Sequence, residues 1–262
     1  FLSVSCEESQ CDGGAAYVVD KYIEELNTSV VFGEGPSELT SLLDGEYKNP
    51  VFGISRLHKK ALWLKLELEY ATSGHGSVTP NSYANKDLLK ALARVADKKR
   101  KTTYNEINLA FLKDLSKYYS GSKKMALKNP KLFKPFLVPR LRKYPEMFAL
   151  FTNTVTVTDI FSDSDAINQI SNKAGAYLDC RLLPDTSEKD MLRQLKNELK
   201  NDSIKITVMK ITPNSKPSET DNVFYKNYVS AIQDKFPAAK PLNVMMPNIN
   251  DLGYFRKRGV PC

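Results

Sequence analysis

Histidine is scarce: only His58 and His75 occur in 262 residues. No run of about 18 apolar residues exists, which excludes a helix that crosses a membrane. No C-x-x-C pair joins any of Cys6, Cys11, Cys180 and Cys262. Their spacing matches no zinc finger and does not settle a redox compartment. No signal peptide is visible. The chain starts at Phe1 rather than at Met and stops at FRKRGVPC without a tail. Both ends read as cuts through a longer protein.

What is present has the balance of a globular chain, 42% apolar and 26% charged, with length enough for one large domain or two ordinary ones. The net charge is +8, from 38 basic against 30 acidic residues. Much of the excess lies in DKKRK (97–101) and in SKKMALKNPKLFKPFLVPRLRK (122–143). A basic stretch with aromatics could meet nucleic acid or an anionic membrane. No nucleic-acid motif accompanies it, and solvated lysines on a helical insert account for the charge. Neither nucleic acid nor a membrane is expected as a partner.

Hydrophobic periods divide the chain. Residues 1–6 read as a strand, 13–26 as a helix and 28–35 as a short buried strand, a β-α-β run that predicts an α/β domain with parallel strands. ALWLKLELEYA (61–71) then alternates, with Leu62, Leu64, Leu66 and Leu68 on one face. That is a half-exposed strand of an antiparallel sheet. Residues 85–99 read as an amphipathic helix with Asn85 as its N-cap. Residues 102–150 read as helices broken by prolines, and 154–161 and 174–183 as strands. A capped helix over 187–200 and a strand over 203–211 follow. The order β-α-(insert)-β-β-α-β predicts a ferredoxin-like α+β domain, set as an insertion of roughly 53–212 into the α/β domain. Helix 222–236 and strand 242–246 close the chain.

Three stretches can carry chemistry. In SCEESQCDGG, Glu7 and Glu8 stand where a strand ends, the end at which α/β sheets bind ligands. They are either an exposed acidic turn or a metal ligand beside a proton acceptor. In SGHGS, His75 lies between glycines. It is either an ordinary loop histidine or a hydrogen-bond donor to an oxyanion. In AINQISNKAGAYLDCRLLP, Arg181 follows Asn168 by thirteen positions. It is either a salt-bridge residue or, set beside Asn168, a two-pronged grip on a carboxylate.

Taken in order, SCEESQCDGG, EGPSELTSLLDG, SGHGSVTP, AINQISNKAGAYLDCRLLP and NINDLGYFRKRGVP resemble the aminoacylase and carboxypeptidase S-like family of two-zinc metallopeptidases. The likeness covers nearly the whole chain. It implies a zinc-peptidase α/β domain, here partial (1–52 and 213–262), and an inserted ferredoxin-like lid that dimerises (53–212, with the helical insert at about 100–150). It implies hydrolysis of peptides or N-acyl amino acids at an amide next to a free carboxylate, with two zinc ions per site. By position, Glu7 matches the general base and Glu8 a zinc ligand. His75 matches a lid histidine that holds the oxyanion, often in the partner's site. Asn168 and Arg181 match holders of the substrate carbonyl and carboxylate, and Asp251 matches the aspartate of a threonine–aspartate turn. Three positions depart from the family pattern: Cys6 and Gly33 stand in place of aspartates, and Gly253 in place of an arginine. The resemblance therefore implies an incomplete zinc site, and a family member that binds or dimerises without catalysis is the other reading.

Overall fold

The computed structural model describes residues 14–35, 39, 50–71, 74–164 and 166–262. The expected strand over 1–6, with Glu7 and Glu8 after it, lies outside these. In chain order the elements are α1 (Gly14–Leu26), β1 (Gly53–His58), β2 (Lys60–Glu69), β3 (Gly74–His75), α2 (Ala84–Ala96), α3 (Glu106–Leu115), α4 (Gly121–Lys128), α5 (Lys134–Leu141), α6 (Pro145–Ala149), β4 (Thr154–Ser162), β5 (Gln169–Ile170), β6 (Lys173–Leu182), α7 (Glu188–Leu199), β7 (Lys205–Ile211), α8 (Val223–Lys235), β8 (Leu242–Met246) and α9 (Leu252–Lys257). The chain divides into two compact units, one within Phe1–Lys59, Thr103–Phe151 and Pro213–Cys262, the other within Lys60–Thr102 and Thr152–Thr212.

The second unit is a four-stranded sheet in the order β4-β6-β2-β7. Strand β2 is central because its alternation gives it one wholly apolar face: Leu62, Leu64, Leu66 and Leu68 are 0% exposed. It pairs antiparallel with β6 from Lys60↔Leu182 to Glu69↔Lys173. Helices α2 and α7 bring Leu88, Leu92, Val95, Met191, Leu195 and Leu199 into one core with those leucines. The order β2-α2-β4-β6-α7-β7, with both helices packed into one core, is the ferredoxin-like arrangement expected from the sequence. On the other face Lys65 and Lys173 both reach Glu67, at 2.9 and 2.8 Å. Hydrogen bonds from Lys173 and then Lys65 hold the Glu67 carboxyl down at about 2. Gly175 is a glycine for a steric reason: a Cβ there would meet Phe161 Cζ at 2.2 Å.

Local signals decide the helix starts. Ser187 caps α7 by accepting the Asp190 N–H at 3.1 Å, as the sequence predicts. Asn85 does not cap α2; the cap position is Tyr83, without a side-chain bond. The first turn is organised instead by Asp87, which accepts from the Ser82 and Tyr70 hydroxyls. The Ser82 bond leads in holding that carboxyl below its ordinary range.

In the first unit β1 and β8 pair in parallel, from Gly53↔Leu242 to His58↔Met246, as an α/β domain requires. Two details differ from expectation. Residues 28–35 form no strand; Val31 N–H bonds Pro261 O at 2.9 Å, and Phe32 stays 67% exposed. A strand needs a continuous ladder, and one bond does not make one. The helical segment, expected inside the 53–212 insertion, groups with the first unit, as does β1. Its apolar residues Phe111, Leu112, Leu115 and Phe151 share a core with Leu242 and Val244 of β8. Asp114 of α3 also accepts Asn243 Nδ2 at 2.9 Å.

Candidate functional site

His75 and Asn168 lie 93 positions apart and meet in the second unit. Two short strands bring them together: β3 and β5 pair as Gly74↔Ile170 and His75↔Gln169. Gly76 N–H then closes onto Asn168 O at 2.7 Å. His75 Nε2 stands 2.9 Å from Asn168 Nδ2. On the other side of the ring, Nδ1 lies 2.9 Å from Ser77 Oγ and accepts the Ser77 N–H at 3.3 Å. The tautomer of the ring sets which of its nitrogens donates and which accepts toward Ser77 and Asn168. The pair is exposed to solvent, with Val78 (74% exposed) and Ile167 (107%) as its neighbours in the chain. The arrangement presents an oriented N–H and a side-chain amide to anything that covers this turn.

Arg181 is placed elsewhere. It sits near the far end of β6, opposite Ala61 and Thr154. The eight steps from Lys173 to Arg181 span about 26 Å at the usual strand rise. Within one chain Arg181 and Asn168 therefore do not converge. Arg181 donates from Nε and Nη2 to the two oxygens of Asp179, at 2.7 and 2.9 Å. Asp179 also accepts the Trp63 Nε1–H at 3.1 Å. Residues 179 and 181 alternate onto the same face, which makes this fork local. The remaining guanidinium nitrogen, Nη1, is shielded from water and makes no hydrogen bond. The sequence reading did not include Asp179 or Trp63; an acid two places from a strand arginine, with an aromatic on the facing strand, was the available signal.

The metal expectation fares differently. Among the described residues no group of three or more His, Cys, Asp and Glu side chains could hold a metal ion. Glu7 and Glu8 fall outside them. At Gly33 a Cβ would stand 3.0 Å from Leu252 side-chain atoms. At Gly253 it would stand 2.9 Å from His58 Cε1 and Nε2. His58 itself is buried, and burial first, then the charge of Arg256, lowers its pKa to about 4. The described residues do not fit a two-zinc site.

The first unit is thus an α/β unit and the second a ferredoxin-like unit in which two short strands, distant in sequence, bring an exposed histidine to an asparagine. Residues 56–207 match the peptidase dimerisation domain of the M20 family. The chain belongs to the M20 peptidase family and carries its dimerisation domain. It is 26% identical over 255 residues to the mouse (Mus musculus) N-fatty-acyl-amino acid synthase/hydrolase PM20D1, covering 95% of this chain and 49% of that protein. It is 23% identical to the Dictyostelium discoideum protein named "Probable carboxypeptidase S-like 2", over 90% of this chain and 46% of that one. The chain spans about half the length of these curated relatives. Among solved structures, the M20 family metallo-carboxypeptidase Sso-CP2 of Sulfolobus solfataricus superposes with a TM-score of 0.56 at 19% identity, over 94% of this chain and 65% of that one. Human carnosine dipeptidase 1 does so at 0.54 and 14%, over 94% and 54%. These two likenesses are of fold.

Proposed function

We propose that the protein to which this chain belongs hydrolyses the amide bond of peptides or N-acyl amino acids next to a free carboxylate, and does so as a homodimer joined through the lid. The observation that carries the reading is the exposed contact of His75 with Asn168, beside the short β3–β5 pair of a dimerisation domain. The M20 family context supports amide hydrolysis, and the activity in the mouse relative's name supports an N-acyl amino acid as substrate.

When water adds to an amide carbonyl, charge develops on the carbonyl oxygen. In the Nε2–H tautomer the imidazole, and the amide N–H of Asn168, would each suit that oxygen once it replaces their contact with each other. Glu7 would take the proton from the attacking water and return it to the leaving amine, so that one acid and one amine form. Glu8 would be one ligand of the family's zinc ions. The described residues do not supply the rest of that site.

A substrate carbonyl and its terminal carboxylate lie only a few ångströms apart. Arg181 lies about 26 Å along β6 from Lys173, at the other end of the strand from the His75–Asn168 pair, so one chain would not bring both to one such molecule. Two chains can meet that requirement, with the histidine and asparagine entering the partner's site. For Arg181 to reach the carboxylate its shielded Nη1 would have to be uncovered, because Asp179 holds the other edge of the fork. The lid sheet has β4 and β7 as its two edges, and either could carry the second copy.

The test uses the full-length protein with an N-acyl amino acid substrate and zinc analysis. His75→Ala is expected to lower kcat by about 100–1,000-fold, the usual cost of an oxyanion donor. Glu7→Gln is expected to be inactive. Mixed dimers of the two variants should regain activity, because one of their sites holds an intact Glu7 and the partner's intact His75. Full activity in either variant, or no recovery on mixing, would sink the assignment. A second reading, a lid that dimerises without catalysis, is favoured by Gly33 and Gly253. Intact protein that dimerises, carries no zinc and turns over no substrate would establish it.

A further inference from the structure

The chain between Asp114 and Glu146 holds nine Lys and Arg and no Asp or Glu. Helices α4 and α5 lie in this stretch, and neither has a buried residue. A tight turn joins them. Leu132 N–H and Phe133 N–H both bond Asn129 O at 3.1 Å, and Phe136 N–H and Leu137 N–H both bond Phe133 O at 3.0 Å. The turn carries three lysines, Lys128, Lys131 and Lys134, and two large apolar residues, Leu132 and Phe136, all exposed. Leu132 and Phe136 are each 76% exposed. Other cations of the stretch are engaged: Lys117 pairs with Asp114 at 2.7 Å, and Lys123 and Arg142 lie over the rings of Tyr119 and Phe148. Among the described residues, the side chains of Lys128, Lys131 and Lys134 make no ion pair, hydrogen bond or ring contact. Solvated lysines account for the charge. They do not account for a leucine and a phenylalanine four places apart, left in water and rimmed by cations.

We propose that this turn docks on the surface of an anionic lipid bilayer, with Leu132 and Phe136 entering the acyl boundary and Lys128, Lys131 and Lys134 at the lipid phosphates. Surface-bound segments combine these two elements, apolar side chains that insert and cations that meet anionic headgroups. A lysine stem lies along the apolar boundary while its ammonium stays at headgroup level. A second copy of the chain would bring like charges together and be repelled. A nucleic acid would meet the lysines, but Leu132 offers its bases no face to stack on. The proposal reverses the expectation that composition alone gives. It does not rest on the hydrolase reading, and its test reads binding rather than turnover.

The experiment sediments the intact chain with vesicles of phosphatidylcholine alone and of phosphatidylcholine mixed with phosphatidylglycerol. Binding to the mixed vesicles is expected, at least about tenfold tighter than to the neutral ones and weakened by salt. Lys128→Gln, Lys131→Gln and Lys134→Gln combined should weaken it about a hundredfold, at about fivefold per lysine. The same change at the exposed Lys98, Lys99 and Lys101 of the other unit should leave it nearly unchanged, which separates this turn from net charge. Leu132→Ser with Phe136→Ser should weaken binding about tenfold or more. Phe136→Trp, an aromatic suited to the interface, should retain it. If the serine pair alters the circular dichroism spectrum, Leu132→Gln alone repeats the test. No sedimentation with either vesicle, equal affinity for both, or equal loss in the two lysine triples would each overturn the proposal. So would full binding by the serine pair, the pattern of a surface that takes any polyanion such as heparin.

Discussion

His58 ends β1 at 3% exposure. Burial, then the nearby Arg256 charge, lowers its pKa to about 4 from an ordinary 6.5. The folded chain therefore carries this ring neutral through the range in which the unfolded chain protonates it. Between pH 6.5 and 4 the unfolded state binds the extra proton, so stability falls as the pH falls. Each pH unit between the two values is worth about 1.4 kcal/mol. The loss from neutrality to about pH 4.5 is then at most about 2.5 kcal/mol, and it levels off below the folded value. The measurement is urea unfolding by far-ultraviolet circular dichroism at pH 7 and at about pH 4.5, for the wild type and His58→Leu. Leucine keeps an apolar side chain in place and cannot titrate. The wild type should lose about 1–2.5 kcal/mol more than the variant over that interval. Carboxylates titrate in both proteins and cancel in the comparison. Equal pH dependence in the two proteins would refute the assignment of a neutral, proton-excluding His58.

Two further outcomes are expected. Leu64→Ala, in the middle of β2 and fully buried, should destabilise the lid by about 2–5 kcal/mol; the single tryptophan, Trp63, reports its unfolding by fluorescence, and a loss under about 1 kcal/mol would contradict a packed leucine face. Burial, with the Asp179 charge second, pushes the Cys180 thiol up to about 12, so native protein at about pH 8 should leave Cys180 unlabelled by iodoacetamide while urea-unfolded protein labels it, and rapid native labelling would show an open sheet.

Much of the lid was legible because its signals are local. Leucines at every second place of 62–68 fix which face of β2 is buried, and Ser187 three places before Asp190 fixes the start of α7. Asn85 misled because a capping residue type says nothing about a rival, and Asp87 with Ser82 takes over the same turn. Partner choice is what periodicity cannot carry. The spacing of Phe111, Leu112 and Leu115 shows that α3 has an apolar face, yet only the fold shows that β8 covers it. The site divides in the same way. The short paired strands that join His75 to Asn168 are too brief to leave a pattern, so the sequence singled out both residues without showing that they meet. The Asp179–Arg181 fork follows from the two-residue period of a strand and could have been read directly.

The two glycines that depart from the family pattern are tied to their surroundings. At Gly253 the space for a Cβ is held by the His58 ring, and at Gly33 by Leu252. Restoring an arginine at 253 would push a side chain into a histidine that is itself buried, and an aspartate at 33 would have to displace a leucine of the adjoining helix α9. Contacts of about 3 Å are shorter than well-packed carbon atoms accept, so each reversal needs its neighbour to move. The departures and their neighbours thus form matched pairs: Gly253 with His58, and Gly33 with Leu252. A chain that had lost one donor by a single change would leave a gap where the larger residue stood. Here the gap is filled at both positions, so the packing of this unit is built around the glycines, while the lid keeps His75 and Asn168 in hydrogen-bond contact.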